Sequence, residues 1–349
     1  MDIEHQPGFW NRISGFLLPQ SGRAKRRWLF GVIGLLVIVM ILVGMVWSQE
    51  PAPFSVSDNA ANKLALVGNN PVTGAVMTAT LITAAETLLN KPGGYLSNDV
   101  TPPGIYLDNI PNWEFGVLVQ VRDLSRSMRE SFSRSQSQST EDPDLIISEP
   151  RFNFDNTSWL FPATESEYQV AIDRLYSYLS RISDEADVDA QFYARADNLA
   201  NYLLYVESRL GSLSQRLSAS VGQQRVNTDG VGESGTVEST PTQAESVIKT
   251  PWLQIDNVFY EARGATWALT HFLKAAELDF KEVLANKNAT ASLRQIIREL
   301  EASQRTVFFP IILNGSGFGV FANHSLTMAN YVSRANAAII DLRRLLEQG

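Results

Sequence analysis

The sequence predicts an all-α protein, in which one N-terminal transmembrane helix precedes an elongated bundle of long, heptad-patterned helices. Three observations predict this fold class. A run without charged residues, residues 28–47, lies near the N-terminus. Beyond it, apolar residues recur at alternating steps of four and three, which places them on one face of a helix. No window shows the sustained alternation that is typical of strands.

The apolar run reads WLFGVIGLLVIVMILVGMVW. At about 1.5 Å per residue, a helix of this length matches the roughly 30 Å hydrocarbon core of a bilayer. Trp28 and Trp47 bracket the run, as indole rings do at membrane interfaces. Four basic residues within 23–27 precede it, and the positive-inside rule then predicts a cytoplasmic N-terminus and a periplasmic body at the bacterial inner membrane.

Two other interpretations fit this run less well. A buried core helix of a soluble protein is disfavoured by the length, the lack of charge and the basic flank. A cleaved signal peptide usually has an apolar region of about 7–15 residues and a small-x-small cleavage site. This run is longer, and residues 45–49 include large side chains, so the sequence favours an uncleaved anchor.

Composition limits the classes of partner and chemistry. The formal net charge is −8, and the part after the anchor carries it, because the first 50 residues have a small basic excess. An acidic body disfavours nucleic acid and anionic lipid headgroups as partners. Cysteine is absent, which excludes disulfides, thiolate nucleophiles and cysteine metal sites.

Apolar runs with the four-and-three spacing predict the helices of the body, and their faces form the packing surface of a bundle. The runs cover residues 77–88, 117–128, 168–182, 192–217, 255–283 and 328–346. Thr164, followed three residues later by Glu167, predicts a capping box at the start of one helix. Asp187 or Asp189 is expected to cap the next, and Pro251 is placed at a first helical position.

The predicted organisation divides the chain into a cytoplasmic tail at 1–27, the anchor, a stalk at 48–56 and a helical periplasmic domain at 57–349. Residues 222–249 are rich in Gly, Ser, Thr, Gln and Glu and have no aromatic residue. Such a composition predicts a flexible linker between the two longest helices. Residues 306–313 are β-prone but contain a proline, and are interpreted as a buried loop or a brief strand.

Motifs for strong chemistry are missing from the sequence. Outside the tail the histidines are His271 and His324, and there is no HExxH, so no metal and no cofactor is predicted. The GxSxG turn of serine hydrolases is absent. The glycine-rich NGSGFG at 314–319 lacks the Lys-Ser/Thr ending of a phosphate loop.

The most distinctive loop is KPGGYLSNDVTPPGIYLDNIPNW, residues 91–113. Long ordered loops are often functional, but a rigid strap that covers the bundle fits the prolines and glycines better. Within the first interpretation, the candidate binding residues of the loop and the adjoining helix start are Tyr95, Asn98, Asp99, Tyr106, Trp113 and Glu114.

Glu114 is the best single carboxylate for glycan chemistry, because the neighbouring Trp113 could stack on a sugar. The favoured alternative is a first-turn Glu that complements a helix dipole.

Several long stretches together resemble a known family: KPGGYLSNDVTPPG, PNWEFGVLVQVRDLSR, SRSQSQSTEDPDL, RFNFDN, DAQFYARADNL, RLGSLSQRLS and TPWLQIDNVFYEARGATWAL. They are similar to a proteobacterial membrane-anchored family known as domain-of-unknown-function family 2333, over about residues 75–346. The resemblance implies a single-pass envelope protein of Gram-negative bacteria. It implies no activity and no residue roles.

The sequence therefore favours a non-enzymatic envelope scaffold or interaction module, whose partners are the lipid bilayer through residues 28–47 and another envelope protein. A homo-oligomer is left open, because a heptad face can be covered within or between chains. The alternatives are a membrane-tethered enzyme acting on peptidoglycan or another glycan, and a lipid-binding helical bundle. A bare apolar patch, a carboxylate-lined cleft or an open cavity would distinguish these three.

Overall fold

The regular secondary structure of the described residues is almost entirely helical. A computed structural model describes residues 22–68, 71–134, 140–184, 189–226, 245–307 and 312–348. Within these ranges lie eleven α-helices and one short pair of antiparallel strands. The all-α prediction is confirmed, apart from that strand pair.

The α-helices are α1 Gly22–Trp47, α2 Val56–Val67, α3 Ala75–Asn90, α4 Asn109–Ser127, α5 Pro143–Phe152, α6 Thr164–Ile182, α7 Ala196–Ser218, α8 Ile255–Asp279, α9 Lys281–Asn286, α10 Thr290–Ser303 and α11 His324–Glu347. Shorter 3₁₀ or π turns lie at Gly104–Tyr106, Met128–Phe132, Ala219–Val221 and Trp252–Gln254.

Helix α1 differs from the rest in its exposure. Its segment Lys25–Trp47 is long and apolar enough to cross a membrane, and 6% of its most apolar 18-residue window is buried. It is therefore not a core helix of the body. By length and composition it fits a membrane span or a signal sequence.

Helix α8 is the centre of the body, and nearly every residue from Phe259 to Ala276 is buried. It packs most extensively against α4, and also against α3 and α10. The α4–α8 contact is close because glycines lie on both sides of it. A Cβ atom on Gly116 would overlap the carbonyl oxygen of Glu261, and one on Gly264 would overlap the carbonyl oxygen of Trp113. Larger residues at either glycine would force the two backbones apart.

The second strongest helix pair is α7 with α11. Their apolar faces are buried as the spacing predicts, for example at Leu203 and Leu210 in α7 and at Val332 and Ile339 in α11. The predicted run over 192–217 nevertheless begins too early. Helix α7 starts at Ala196.

The segment before α7 instead crosses another element, because the backbone N–H of Tyr193 donates a hydrogen bond of 2.7 Å to the carbonyl of Phe132. The residue that precedes α7 is Arg195, and its side chain makes no capping bond. The predicted cap at Asp189 is therefore wrong, and Asp187 lies outside the described residues.

The run over 255–283 is not one helix. Helix α8 ends at Asp279, Phe280 leaves the helical conformation, and α9 begins at Lys281. The carboxylate of Asp279 accepts a 2.7 Å hydrogen bond from the N–H of Met77 at the start of α3. The spacing missed this break because Phe280 and Val283 continue the four-and-three pattern across it.

The capping box at Thr164 is also wrong. Thr164 is the first residue of α6 rather than the residue before it. Its hydroxyl lies 2.7 and 3.0 Å from the carbonyl oxygens of Asp155 and Ser158 and shares its one proton between them. The loop before α6 folds back over the helix start and uses the hydroxyl that was expected to cap it. Pro251 lies one position before the Trp252–Gln254 turn that leads into α8.

The ends of the predicted linker pair with each other. Gln223–Val226 and Glu245–Ile248 form a two-stranded antiparallel ladder, which the sequence did not predict. Residues 227–244 lie outside the described residues, so their flexibility stays a prediction. In the 306–313 segment, residues 308–311 are likewise outside, and the described residues on either side lie in no strand.

Candidate functional site

The predicted loop is held as a strap by one buried carboxylate. We call residues 91–108 the strap, because α4 begins at Asn109 and the last five residues of the predicted loop are helical. Glu114 accepts hydrogen bonds of 2.8 Å from the backbone N–H groups of Leu96 and Ser97. It also forms a 2.5 Å ion pair with Lys91, and the two side chains are 1% or less exposed.

This geometry changes the interpretation of Glu114. It lies in the second turn of α4, so the first-turn dipole role is wrong. Burial raises the pKa of Glu114, and the Lys91 ammonium and the N–H donors of the strap oppose that rise. A carboxylate surrounded by these partners fastens the loop, and it presents no free oxygen to a substrate.

Two of the other candidate residues also fasten the strap, and a third packs inside the body. Tyr95 and Asn98 are buried and donate hydrogen bonds of 3.0 and 2.8 Å to carbonyls of the loop before α6. Trp113 is fully buried, with its ring centroid 5.2 Å from that of Trp267 in α8. In this arrangement Trp113 has no open face on which a sugar could stack.

Asp99 and Tyr106 complete the candidate set. Asp99 packs against Gly104, where a Cβ atom would overlap its carboxylate, and burial raises its pKa. Tyr106 is 72% exposed. The structure thus uses three of the six candidates, Glu114, Tyr95 and Asn98, to fasten the strap. Asp99 packs within the strap, Trp113 packs against α8, and Tyr106 lies on the surface. Ligand binding by this set stays a prediction.

A cavity of about 960 Å³ lies on the α1 side of the strap, between the end of α1 and the body. Its walls come chiefly from α1, the segment 48–53 that follows it, the strap and α8. They include Met40, Ile41, Gly44 and Met45 of α1, Tyr106 and Leu107 of the strap, Asn109 at the start of α4, Tyr260, Arg263 and Trp267 of α8, and Thr306.

The segment after α1 is bound to α8 through a buried ion pair. The Nε atom of Arg263 donates a 2.6 Å hydrogen bond to Glu50, and the Arg263 side chain is 5% exposed. The same guanidinium donates to the carbonyls of Ser303 and Arg305 at 3.1 and 3.0 Å. A buried arginine needs this full set of acceptors, since an unpaired charge in the core is costly. The pair joins residue 50 to the centre of the body.

A second contact lies four residues further along the same segment. The backbone N–H of Phe54 donates a 3.0 Å hydrogen bond to Nε2 of His271, and the two rings stack at 4.0 Å. Nδ1 of His271 lies 2.7 Å from the carbonyl of Trp267. Nε2 can accept only if the proton is on Nδ1, which then donates to that carbonyl. Burial lowers the pKa of His271 to about 4, so the ring is neutral at pH 7.

The cavity also has polar groups without partners. The indole N–H of Trp267, whose side chain is buried, and the side-chain carbonyl of Asn109 have no hydrogen-bond partner among the described residues, and both residues line the cavity. Buried polar atoms of this kind are normally paired with protein, water or ligand. The cavity therefore combines an apolar wall from α1 with a few polar groups from the body.

Glu50, Arg263 and Trp267 were not among the site residues predicted from the sequence. One signal was available: Arg263 is a charge in the middle of a long apolar run, where a buried partner is required. The identity of that partner, 213 residues away, was not readable. Over the described ranges, no group of three or more His, Asp or Glu side chains is arranged to hold a metal ion.

Comparison with known proteins places the chain in context. One protein family matches residues 22–349, and its description is "Uncharacterized protein conserved in bacteria (DUF2333)". No curated protein and no solved structure matches the chain.

Proposed function

The chain belongs to the bacterial DUF2333 family of uncharacterised proteins, and we propose that it is a single-pass membrane protein of the cell envelope with a non-enzymatic scaffold or interaction role. One observation carries this proposal. Helix α1 is apolar and exposed, while the segment that follows it is ion-paired into the centre of the body. An exposed apolar helix of this length is stable in lipid and unfavourable in water.

The orientation follows from charge. Basic residues within 23–27 precede the apolar stretch, and Glu50 follows it. The positive-inside rule then favours a cytoplasmic N-terminus and a periplasmic body.

The partner is another protein of the envelope. The glycan-cleaving alternative needs two carboxylates across a cleft. Glu114, its best candidate, is instead used to fasten the strap. This use of Glu114 favours binding over catalysis. In vivo photo-crosslinking from exposed body positions should capture an envelope protein, and a screen that returns none would remove the scaffold role.

The cavity beside α1 favours a second candidate function, the binding of a membrane lipid. Its volume of about 960 Å³ lies in the range of small-molecule sites, roughly 300–1,000 Å³. Its α1 wall suits an acyl chain, and the unpartnered N–H of Trp267 suits a headgroup oxygen.

Native mass spectrometry of the full chain in mild detergent tests the lipid role. We expect a retained phospholipid that is lost in Thr306→Trp, which fills the cavity from an exposed position, and kept in the control Thr327→Trp on α11. Equal retention in both variants, or no lipid in the unchanged protein, would contradict it.

Sided labelling tests the membrane topology. The chain has no cysteine, so single-cysteine variants report one position each. Ser166→Cys, at an exposed position of the body, should react with an impermeant maleimide in spheroplasts. Ser14→Cys, in the tail, should react only after permeabilisation, and carbonate washing should leave both variants in the membrane. Recovery of the body as a soluble fragment, or labelling of both positions from outside, would refute the topology.

A further inference from the structure

Exposed aromatic side chains are concentrated in four loops of the body. Outside α1, every strongly exposed Phe, Tyr or Trp of the described residues belongs to one of them. The strap carries Tyr106, the loop before α6 carries Trp159 and Phe161, the turn before α8 carries Trp252, and the loop before α11 carries Phe318 and Phe321. Soluble monomers rarely expose apolar groups so densely, and such patches mark interaction surfaces.

The strap lies directly against the end of α1. A Cβ atom on Gly44 would be in van der Waals contact with Pro103 and Leu107, at 3.7 and 3.8 Å. Gly44 is three residues before the end of α1 at Trp47. At about 1.5 Å per residue, this contact is roughly 4.5 Å along the helix from its end. The strap is therefore level with the last turn of the apolar helix.

The other three loops are tied to the same end of the body. Asn98 of the strap donates a 2.8 Å hydrogen bond to the carbonyl of Ser158, in the loop before α6. Burial raises the pKa of Asp256, which lies one turn after Trp252, and the nearby charge of Asp108 at the end of the strap raises it further. The backbone N–H of His324, at the start of α11, donates a hydrogen bond to the carbonyl of Leu313 in the loop before that helix. The ring centroid of His324 lies 6.3 Å from that of Phe259, near the start of α8.

We propose that these four loops, the apolar collar, seat the body on the membrane that α1 crosses, with their aromatic side chains in the lipid interface. The proposal rests on the proposed function, because it requires α1 to span the bilayer. Trp and Tyr favour the interface, where the ring is sheltered and its polar group remains hydrated.

Continuity with α1 identifies the bilayer as the occupant of the collar. If residues 28–47 fill the hydrocarbon core, the strap contact at Gly44 lies about 4.5 Å inside the end of that core, so the strap is at the boundary between the core and the headgroups. The seating is apolar rather than electrostatic, since the chain has a net charge of −8 and gains nothing from anionic lipid. Zwitterionic phosphatidylcholine is therefore a sufficient probe.

Depth-dependent quenching tests the collar in the full-length protein. Single cysteines at exposed positions, labelled with an environment-sensitive fluorophore, are reconstituted into phosphatidylcholine vesicles with brominated acyl chains. Leu253→Cys and Phe321→Cys report the collar, and Val37→Cys reports the middle of α1. Leu278→Cys is the matched control, exposed in the last turn of α8 and about 35 Å along that helix from its start.

We expect shallow bromines to quench both collar positions, deep bromines to quench position 37, and neither to quench position 278. If position 37 is quenched but the two collar positions are no more quenched than position 278, the collar does not contact the membrane. That result would favour a protein partner for the collar and leave the anchor intact. Absence of quenching at 37 would instead refute the anchor itself, and the seating with it.

Discussion

The two ends of the helical body use aromatic residues in opposite ways. At the far end, Phe132, Phe192 and Phe280 pack against one another with ring centroids 5.2–5.8 Å apart, and Phe132 and Phe280 are fully buried. At the α1 end, Phe321 is 74% exposed and Trp252 is 79% exposed. The aromatic residues of the far end are buried against one another, whereas those of the α1 end are exposed. This difference indicates that the α1 end contacts something other than water.

The segments that follow α1 and begin α3 are held in the body by different groups. At the far end, Asp279 accepts a hydrogen bond from the start of α3. Nearer the middle of α8, neutral His271 accepts one from Phe54, in the segment that follows α1. Burial raises the pKa of Asp279 to about 6 and lowers that of His271 to about 4. Burial opposes the ionisation of an acid and the protonation of a base, so the stabilities of these two contacts respond to pH with opposite signs.

The largest expected effect comes from one substitution made at both ends. Phe280→Ala should lower the free energy of unfolding by about 3–5 kcal/mol, since it leaves a cavity in a closed cluster. Phe321→Ala should change it by less than about 0.5 kcal/mol, as is usual for exposed positions. Chemical denaturation of the detergent-solubilised protein, followed by circular dichroism, measures both. Equal losses in the free energy of unfolding for the two variants would contradict the distinction between the two ends.

Breaking the buried pair under the strap should be nearly as costly. Glu114→Gln leaves Lys91 charged and unpaired in the core, a situation that costs about 3–5 kcal/mol. Adding Lys91→Met removes the stranded charge, and the double variant should recover most of the stability. A single variant as stable as the unchanged protein would show that Glu114 does not fasten the strap.

Acid should loosen the segment that follows α1. Since the pKa of His271 falls from 6.5 to about 4 on folding, its contribution to stability is complete above pH 6.5 and is lost as the pH falls towards 4. The change is at most about 3 kcal/mol, at 1.36 kcal/mol per pKa unit. The protection factor of the Phe54 amide, which compares its exchange with that of an unfolded chain at the same pH, should fall between pH 6.5 and 4.5, and His271→Gln should remove that dependence. A protection factor that is independent of pH in the unchanged protein would contradict it.

The far end should respond in the other direction, with a slightly smaller amplitude. The pKa of Asp279 rises from 3.8 to about 6, so its contribution is present below pH 3.8 and is lost as the pH rises through 6. The expected loss is about 2–3 kcal/mol. Asp279→Asn should flatten this part of the stability profile. A profile that rises with pH over this window and is unaffected by the substitution would be the contrary result.

Periodicity predicted the helical faces because they depend on local spacing. The residues of α7 from Leu199 to Leu217 that follow the four-and-three pattern are buried, as expected. The same pattern could not reveal the break at Phe280, because a break need not disturb the spacing. Three shorter helices, α2, α5 and α10, were not predicted.

The contacts that hold the strap and the segment after α1 could not be predicted from the sequence, for a different reason. The Glu50–Arg263 pair joins residues 213 positions apart, and only the tertiary fold brings them together. Glu114 was noticed as a candidate, but its partner Lys91 and the strap N–H groups were not. A single sequence can mark a charge that needs a partner. It cannot identify the partner when no regular spacing links the two.

The most direct test of the account is a crosslink between α1 and the strap in the membrane. Gly44→Cys with Pro103→Cys places two thiols on Cβ positions that are 3.7 Å apart, within the range of a disulfide, in a chain with no other cysteine. Mild oxidation should give an intrachain disulfide, detected by mass spectrometry of the linked peptides. Gly44→Cys with Leu278→Cys should give none. Free thiols in the first pair, or disulfides only between chains, would contradict the claim that the body rests against the end of its apolar helix.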